Sequence, residues 1–289
     1  MKDLMKKISI PEEAMEGTLK IYGKITSDKA LWEYFDGKIS EFLKIGGDFP
    51  MEDFAREIGE KINENHFAVH LVILLESARR IKPLYDERGI SEEIYYDTMR
   101  DLSYKVKECK KHYDVYGIKS FVWFFRLMVL NTFMLGRLEY AEETADFDYK
   151  DYIKKGDIIY GCHIPSSGPL TYDSVMDSLK RAYKFFGCEK YLAVFCSSWM
   201  LYPPLYREVF PEGSNLRMFY ELFDMIDEKH TGNNSNLWRI FYKDEDTPLD
   251  ELPQETTLQR NFVKYFREGK FMGSGKGVII FDGEKIVNK

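Results

Sequence analysis

Three consecutive stretches constrain this chain most: DIIYGCHIP (157–165), TYDSVMDSLKRAYKFF (171–186) and YLAVFCSSWM (191–200). The first is a short apolar run bounded by turn formers, which suits a strand. The third has few polar residues on either alternating face, as a central strand covered on both sides requires. Between them Val175, Leu179, Ala182 and Phe186 recur at helical spacing and mark one stripe. Strand, helix, strand in that order builds a sheet with helices against its faces.

Upstream the texture differs, and the first 120 or so residues read almost entirely as helix. In SDKALWEYFDGKISEFLKIGG, Ser27 is positioned to cap the start. Leu31, Phe35, Ile39, Phe42 and Leu43 share a face, and Gly46-Gly47 ends the run. HFAVHLVILLESARRIKPLYDERG is apolar on more than one side from Phe67 to Leu75, so its middle is expected to be buried, with a stop near Pro83 and Gly89. SEEIYYDTMRDLSYKVKECKK repeats the capped pattern behind Ser91.

From about Phe133 short aliphatic and aromatic runs take over, FMLGRLEYA first. Beyond the central unit come a helix opening at Pro203-Pro204, a long segment from Ser214 to His230 and a polar loop, HTGNNSN. LWRIFY then reads as a strand, QETTLQRNFVKYFREG as a helix and GVIIF as a last strand. The expected plan is a helical domain over 1–125 and a domain over 126–289 in which helices flank a mixed sheet, with the boundary near a helix from Phe121 to Leu135.

The sequence has a net charge of −7 and no concentrated basic stripe, which argues against nucleic acid as a partner. Cys109, Cys162, Cys188 and Cys196 form no CxxC pair, so reduced thiols in a cytoplasmic protein are expected. Phe121 to Leu135 is too short to span a bilayer and contains Arg126 and Asn131, and MKDLMKKISIPEEA lacks the apolar core of a secretory signal; no membrane partner is expected. Oligomeric state cannot be read from the chain.

The functional interest lies after the first strand of the central unit. Ligands of α/β sheets bind where strands end, and a helix start offers free amides and a positive dipole end to an anion. Ser166, Ser167 and Gly168 are small enough to let a phosphate-bearing molecule approach the main chain, between Pro165 and Pro169. Against this, Asp173 would compensate the dipole itself, and the loop has neither Walker A nor GxGxxG spacing. Thr171 and Asp173 capping a structural helix is the competing reading. His163, at the junction, is either a structural residue bonded through its ring or a base beside a reacting group.

LGRLEY (135–140), CHIPSSGPLTYDSVMDSLKRAYKFF (162–186), FCSSWMLYPPL (195–205), PEGSNLRMF (211–219) and LPQETTLQRNFVKYFREGKFMGSGKG (252–277), kept in order, resemble a bacterial family of acyltransferases. That family joins a helical N-terminal domain to a GNAT-like C-terminal domain, and ERGISEEIYYDTMRDL is similar to its helical part.

The resemblance implies a mixed-sheet fold in which one strand and the next helix splay apart around the pyrophosphate of acetyl-CoA or another acyl-CoA. A small-molecule amine would attack the thioester directly. Ile164, Ser166, Ser167, Gly168 and Leu170 would then form the cradle; Asn215, after the Glu212-Gly213-Ser214 turn, is either a turn or cap residue or a further contact. An amine must lose a proton before attack, which suits His163 as base, and holding the reactants together can supply about 7–11 kcal/mol. Tyr206, or else Tyr202, stands where the family places an acid for the departing thiolate; an aromatic anchor is the alternative.

Two departures matter. The usual phosphate signature of the fold, Arg or Gln before GxGxA-like spacing, is replaced by HIPSSGPL, and Ser197 stands where the family has a histidine. A fold without affinity for the thioester, serving as a small-molecule binding or interaction module, is therefore the competing function.

Other candidates read as structural. Cys196 is expected to be a buried thiol rather than a nucleophile, and Arg137 to meet a neighbouring carboxylate or a substrate. GKFMGSGKG lacks Walker A spacing and reads as a tight turn. His66 and His70 lie one helical turn apart without the glutamate of HExxH, so no metal is implied.

Overall fold

The computed structural model describes residues 1–232 and 236–288; the centre of the expected loop HTGNNSN lies outside the described residues. They form two compact units, Met1–Met134 and Leu135–Lys289.

The first unit is helical: α1 (Lys2–Lys7), α2 (Glu12–Ser27), α3 (Lys29–Ile45), α4 (Met51–Ile62), α5 (His66–Glu87), α6 (Glu92–Met99), α7 (Asp101–Tyr113) and the short α8 (Phe125–Met128). Asp28, not Ser27, caps α3 by accepting from the Leu31 amide at 3.0 Å, because Ser27 is already the last residue of α2. Ser91 caps α6 as expected, accepting from Ile94 at 3.3 Å. The helix expected beyond it breaks at Arg100 into α6 and α7.

The middle of α5 is buried from Val69 to Ala78. Pro83 does not stop α5, since a single missing N–H close to its end is tolerated; the helix runs to Glu87, and Gly89, at φ 67°, turns the chain. The helix expected over 121–135 is only α8 behind a 3₁₀ turn at Val122–Phe124, after which the chain extends into a strand.

The strands are β1 (Thr132–Leu135), β2 (Leu138–Thr144), β3 (Ile158–His163), β4 (Leu192–Ser198), β5 (Asp224–His230) and β6 (Gly273–Phe281). They form a mixed six-stranded sheet in the order β1-β2-β3-β4-β6-β5. Five helices accompany them: α9 (Tyr172–Phe185), α10 (Pro203–Glu208), α11 (Asn215–Leu222), α12 (Trp238–Phe241) and α13 (Thr257–Arg267). FMLGRLEYA is thus a hairpin, turned at Gly136 with φ 81°.

LWRIFY is helical rather than extended, forming the single turn of α12, whose Phe241 joins α13 and α10 in one apolar cluster with Phe262, Phe266, Leu205 and Val209. The segment Ser214–His230 divides into a helix and an edge strand that its charges conceal.

Only the start of GKFMGSGKG is the expected turn, with Gly269 at φ 75° just past α13; Gly273, Gly275 and Gly277 already lie within β6. A Cβ at Gly275 would stand 1.8 Å from the Leu201 carbonyl oxygen and one at Gly273 2.5 Å from the Tyr202 ring. The glycines let the turn after β4 lie flat on the sheet. Among the described residues no helix is long and apolar enough to cross a membrane.

Candidate active site

β3 and β4 run parallel but share only two pairs of partners, Tyr160↔Val194 and Gly161↔Phe195. Beyond them each strand stays with its other neighbour. β3 follows antiparallel β2 as far as Glu139↔His163, and β4 follows antiparallel β6 as far as Ser198↔Gly275. The sheet therefore forks at its middle, at the carboxyl ends of both strands, where main-chain groups lose their ladder partners. At the crotch two free thiols meet, and hydrogen bonding to Cys196, together with burial, pushes the Cys162 thiol well above the usual thiol range. Cys196 is 1% exposed, in keeping with a buried structural thiol.

The loop 164–171 leaves this fork and enters α9. Thr171 and Ser174 form a reciprocal capping box, so the start of α9 is satisfied by its own side chains; Thr171 caps as expected, and its partner is Ser174 rather than Asp173. The segment before the cap is different. Among the described residues the amides of Ser167, Gly168 and Leu170 donate to no main-chain carbonyl, and the Ser167 hydroxyl is buried without a hydrogen-bond partner. Gly168 adopts φ 122°, which other residues rarely accept, and nothing lies within 4 Å of where its Cβ would be. A short segment with unspent donors and open space before it suits an anion.

Arg137 lies in the turn between β1 and β2 and reaches the back of this loop. Its guanidinium donates to the carbonyls of Pro165 at 2.9 Å, Gly168 at 2.9 Å and Pro169 at 3.2 Å. The sequence reading missed this contact, although Arg137 sits inside the block LGRLEY.

The same block supplies a second unforeseen residue. Glu139, fully buried, is the direct cross-strand partner of half-buried His163, so the two side chains leave the same face of the sheet. At Gly161, two pairs further along the ladder, an added Cβ would stand 2.5 Å from Oε1 of Glu143, whose side chain lies over it.

The remaining expected residues lie on other elements. Tyr206, on α10, donates its hydroxyl to Glu221 at 2.8 Å, and its ring stacks on Tyr220 with centroids 4.2 Å apart. The bond to Glu221 raises its pKa, because the carboxylate favours the protonated phenol. Tyr202 is buried, shares a hydrogen bond with Nδ1 of His230 and faces a separate cleft of about 340 Å³ with Glu208, Tyr265 and Lys270. Asn215 is exposed at the start of α11, which Ser214 caps through the Arg217 amide at 3.3 Å.

In the helical unit His66 and His70 face Glu52, their Nε2 atoms 3.4 and 3.5 Å from its oxygens. Among the described residues no group of three or more His, Cys, Asp or Glu side chains is placed to hold a metal ion.

A mixed sheet forked between two parallel strands, with a donor-rich loop and a helix leaving the fork, defines the GNAT-like class. Residues 132–279 match the family described as GNAT-like C-terminal domain, and residues 1–129 match the N-acyltransferase N-terminal domain. The chain belongs to the GNAT-like C-terminal domain family, with that helical domain in front.

Among solved structures it is similar to an acyltransferase in complex with decanoyl-CoA, at 25% identity and TM-score 0.77 over 96% of this chain and 86% of that one. An acyltransferase in complex with decanoyl-CoA and teicoplanin matches at 24% identity and TM-score 0.78, with 96% and 86% covered. A mutant acyltransferase in complex with octanoyl-CoA matches at 24% and 0.76 over the same shares. No curated protein sequence matches.

Proposed function

We propose that the chain is an acyl-CoA-dependent N-acyltransferase acting on a small-molecule amine in the cytoplasm. The observation that carries this reading is the forked sheet, with the unspent amides of Ser167, Gly168 and Leu170 and the partnerless Ser167 hydroxyl in the loop that leaves it. Those donors suit the diphosphate of CoA, with Ile164 and Ser166 completing the wall. Asn215 is a secondary contact. Similarity to proteins solved with octanoyl- and decanoyl-CoA supports the same class of donor here.

The thioester supplies the acyl group: a C–N bond to the amine forms, the C–S bond breaks and CoA leaves as a thiol. His163 is assigned as the base that takes the proton of the attacking amine, and Glu139, opposite it on β2, as the group that orients the ring. The thiolate needs a proton in return. His163 then holds one, whereas the Tyr206 proton is engaged by Glu221. Tyr206 is therefore the second candidate acid, and Tyr206→Phe separates the two.

The test is release of free CoA from acetyl-, octanoyl- and decanoyl-CoA in the presence of a panel of amines. His163→Gln is expected to lower turnover roughly 10²–10⁴-fold while leaving CoA binding intact. Thioester consumption that is independent of amine, or wild-type protein that binds no CoA, would contradict the reading.

A further inference from the structure

The anion signature usual in the GNAT fold is replaced here by HIPSSGPL, which contains neither lysine nor arginine. We propose that Arg137 takes over part of its task from outside the loop, as a positioning residue that turns the loop's donors toward the diphosphate. The inference rests on the loop being the diphosphate site.

The argument is one of peptide geometry. A trans peptide is planar, with its C=O and N–H pointing in opposite directions. There are no cis peptide bonds in the described chain. Where Arg137 draws in the Pro165 carbonyl, the amide of Ser166 must point away from the guanidinium; where it draws in the Pro169 carbonyl, the amide of Leu170 must do the same.

The third carbonyl, that of Gly168, belongs to a peptide whose nitrogen is Pro169, so this unit has no N–H to offer and could present only its oxygen to an anion. Arg137 holds that oxygen on the far side. One fork with several fixed donors thus gathers three acceptor faces, which a lysine ammonium cannot match in geometry. The guanidinium also adds a positive charge behind the amides.

The binding is built into the fold rather than into the loop. Arg137 stands two residues before Glu139, the partner of His163, so the β1–β2 hairpin sets both the loop and the residue opposite the assigned base.

The experiment is calorimetric titration of the full chain with CoA, and NMR titration with pantetheine, which lacks the diphosphate, for wild type, Arg137→Lys and Arg137→Ala. Both variants are expected to weaken CoA at least about ten-fold, the scale set by loss of charge-assisted hydrogen bonds, with pantetheine unchanged. Added methylguanidinium is expected to restore part of the CoA affinity of Arg137→Ala, which general loosening of the chain would not produce.

If Arg137→Ala does not fold, Arg137→Lys decides alone by the ratio of the two losses. Equal CoA affinity in wild type and Arg137→Lys, or equal loss for CoA and pantetheine, overturns the inference and leaves the acyltransferase reading standing. Wild type that binds no CoA overturns both.

Discussion

In the helical unit the buried carboxylate of Glu76 is met by two guanidinium groups, Arg79 and Arg80, each 3.0 Å from Oε1, while the buried carboxylate of Asp101 has no hydrogen-bond partner among the described residues. In the sheet unit the unspent groups next to the fork are of another kind: amides of the loop 164–170 and one serine hydroxyl. Side chains such as Asp101 and His70 can relieve their burial by changing protonation. Backbone amides cannot; an added anion relieves them. The stability of the first unit should accordingly respond to acid and base, and that of the second to ligand.

The largest effect is expected at His70. Its Nδ1 donates to the Ile118 carbonyl at 2.9 Å, and burial pushes its pKa down to about 4, with Glu52 opposing and His66 assisting. The folded value lies below the unfolded one, so this stability is fully present above about pH 6.5 and is lost as pH falls toward 4. The loss should be on the order of 3 kcal/mol. Urea unfolding of wild type and His70→Gln between pH 7.5 and 4.5 should show a slope in the first and a flatter profile in the second. Parallel slopes would break the comparison.

Ligand comes next. CoA at about 100 times its dissociation constant should add roughly 2.7 kcal/mol, at any pH where the chain is folded. Asp101 gives an effect of opposite sign to His70. Burial, with Glu108 adding and Lys105 opposing, raises its pKa to about 6, so the protonated carboxyl stabilises the fold below about pH 4 and that stability is lost as pH rises past 6. Asp101→Asn should therefore gain on the order of 2 kcal/mol at pH 8 and nothing at pH 4. An equal gain at both would point to packing instead.

The smallest effect is expected at Asn288 in the sheet unit. It accepts from the Ile280 amide at 2.8 Å and donates to Val278 and Tyr149 at 3.0 and 2.8 Å. Asn288→Ala should cost about 1–2 kcal/mol, independent of pH, as seen by the urea midpoint.

The same contrast governs what could be read from sequence. β3, α9 and β4 were legible because each is covered by neighbours and carries the apolar period of its state. β5 was not: DMIDEKH is an edge strand, and its charges both hide the alternation and guard the edge. LWRIFY misled because one turn of helix is too short for its period to differ from that of a strand. The last three glycines of GKFMGSGKG read as part of the turn since their use, close approach of Leu201 and Tyr202, is a tertiary fact.

At the candidate site the loop and His163 could be named from local chemistry. The role of Arg137, which sequence names only as a carboxylate or substrate contact, and Glu139 altogether could not, because what gives them meaning is a hydrogen bond to a loop some thirty positions away and a strand register.

The most direct test of the central claim is amide hydrogen exchange over residues 164–171 with and without CoA. The account requires slowed exchange at Ser167, Gly168 and Leu170 on addition of CoA and little change with pantetheine. Binding of CoA that leaves those three amides exchanging at their free rate would contradict it.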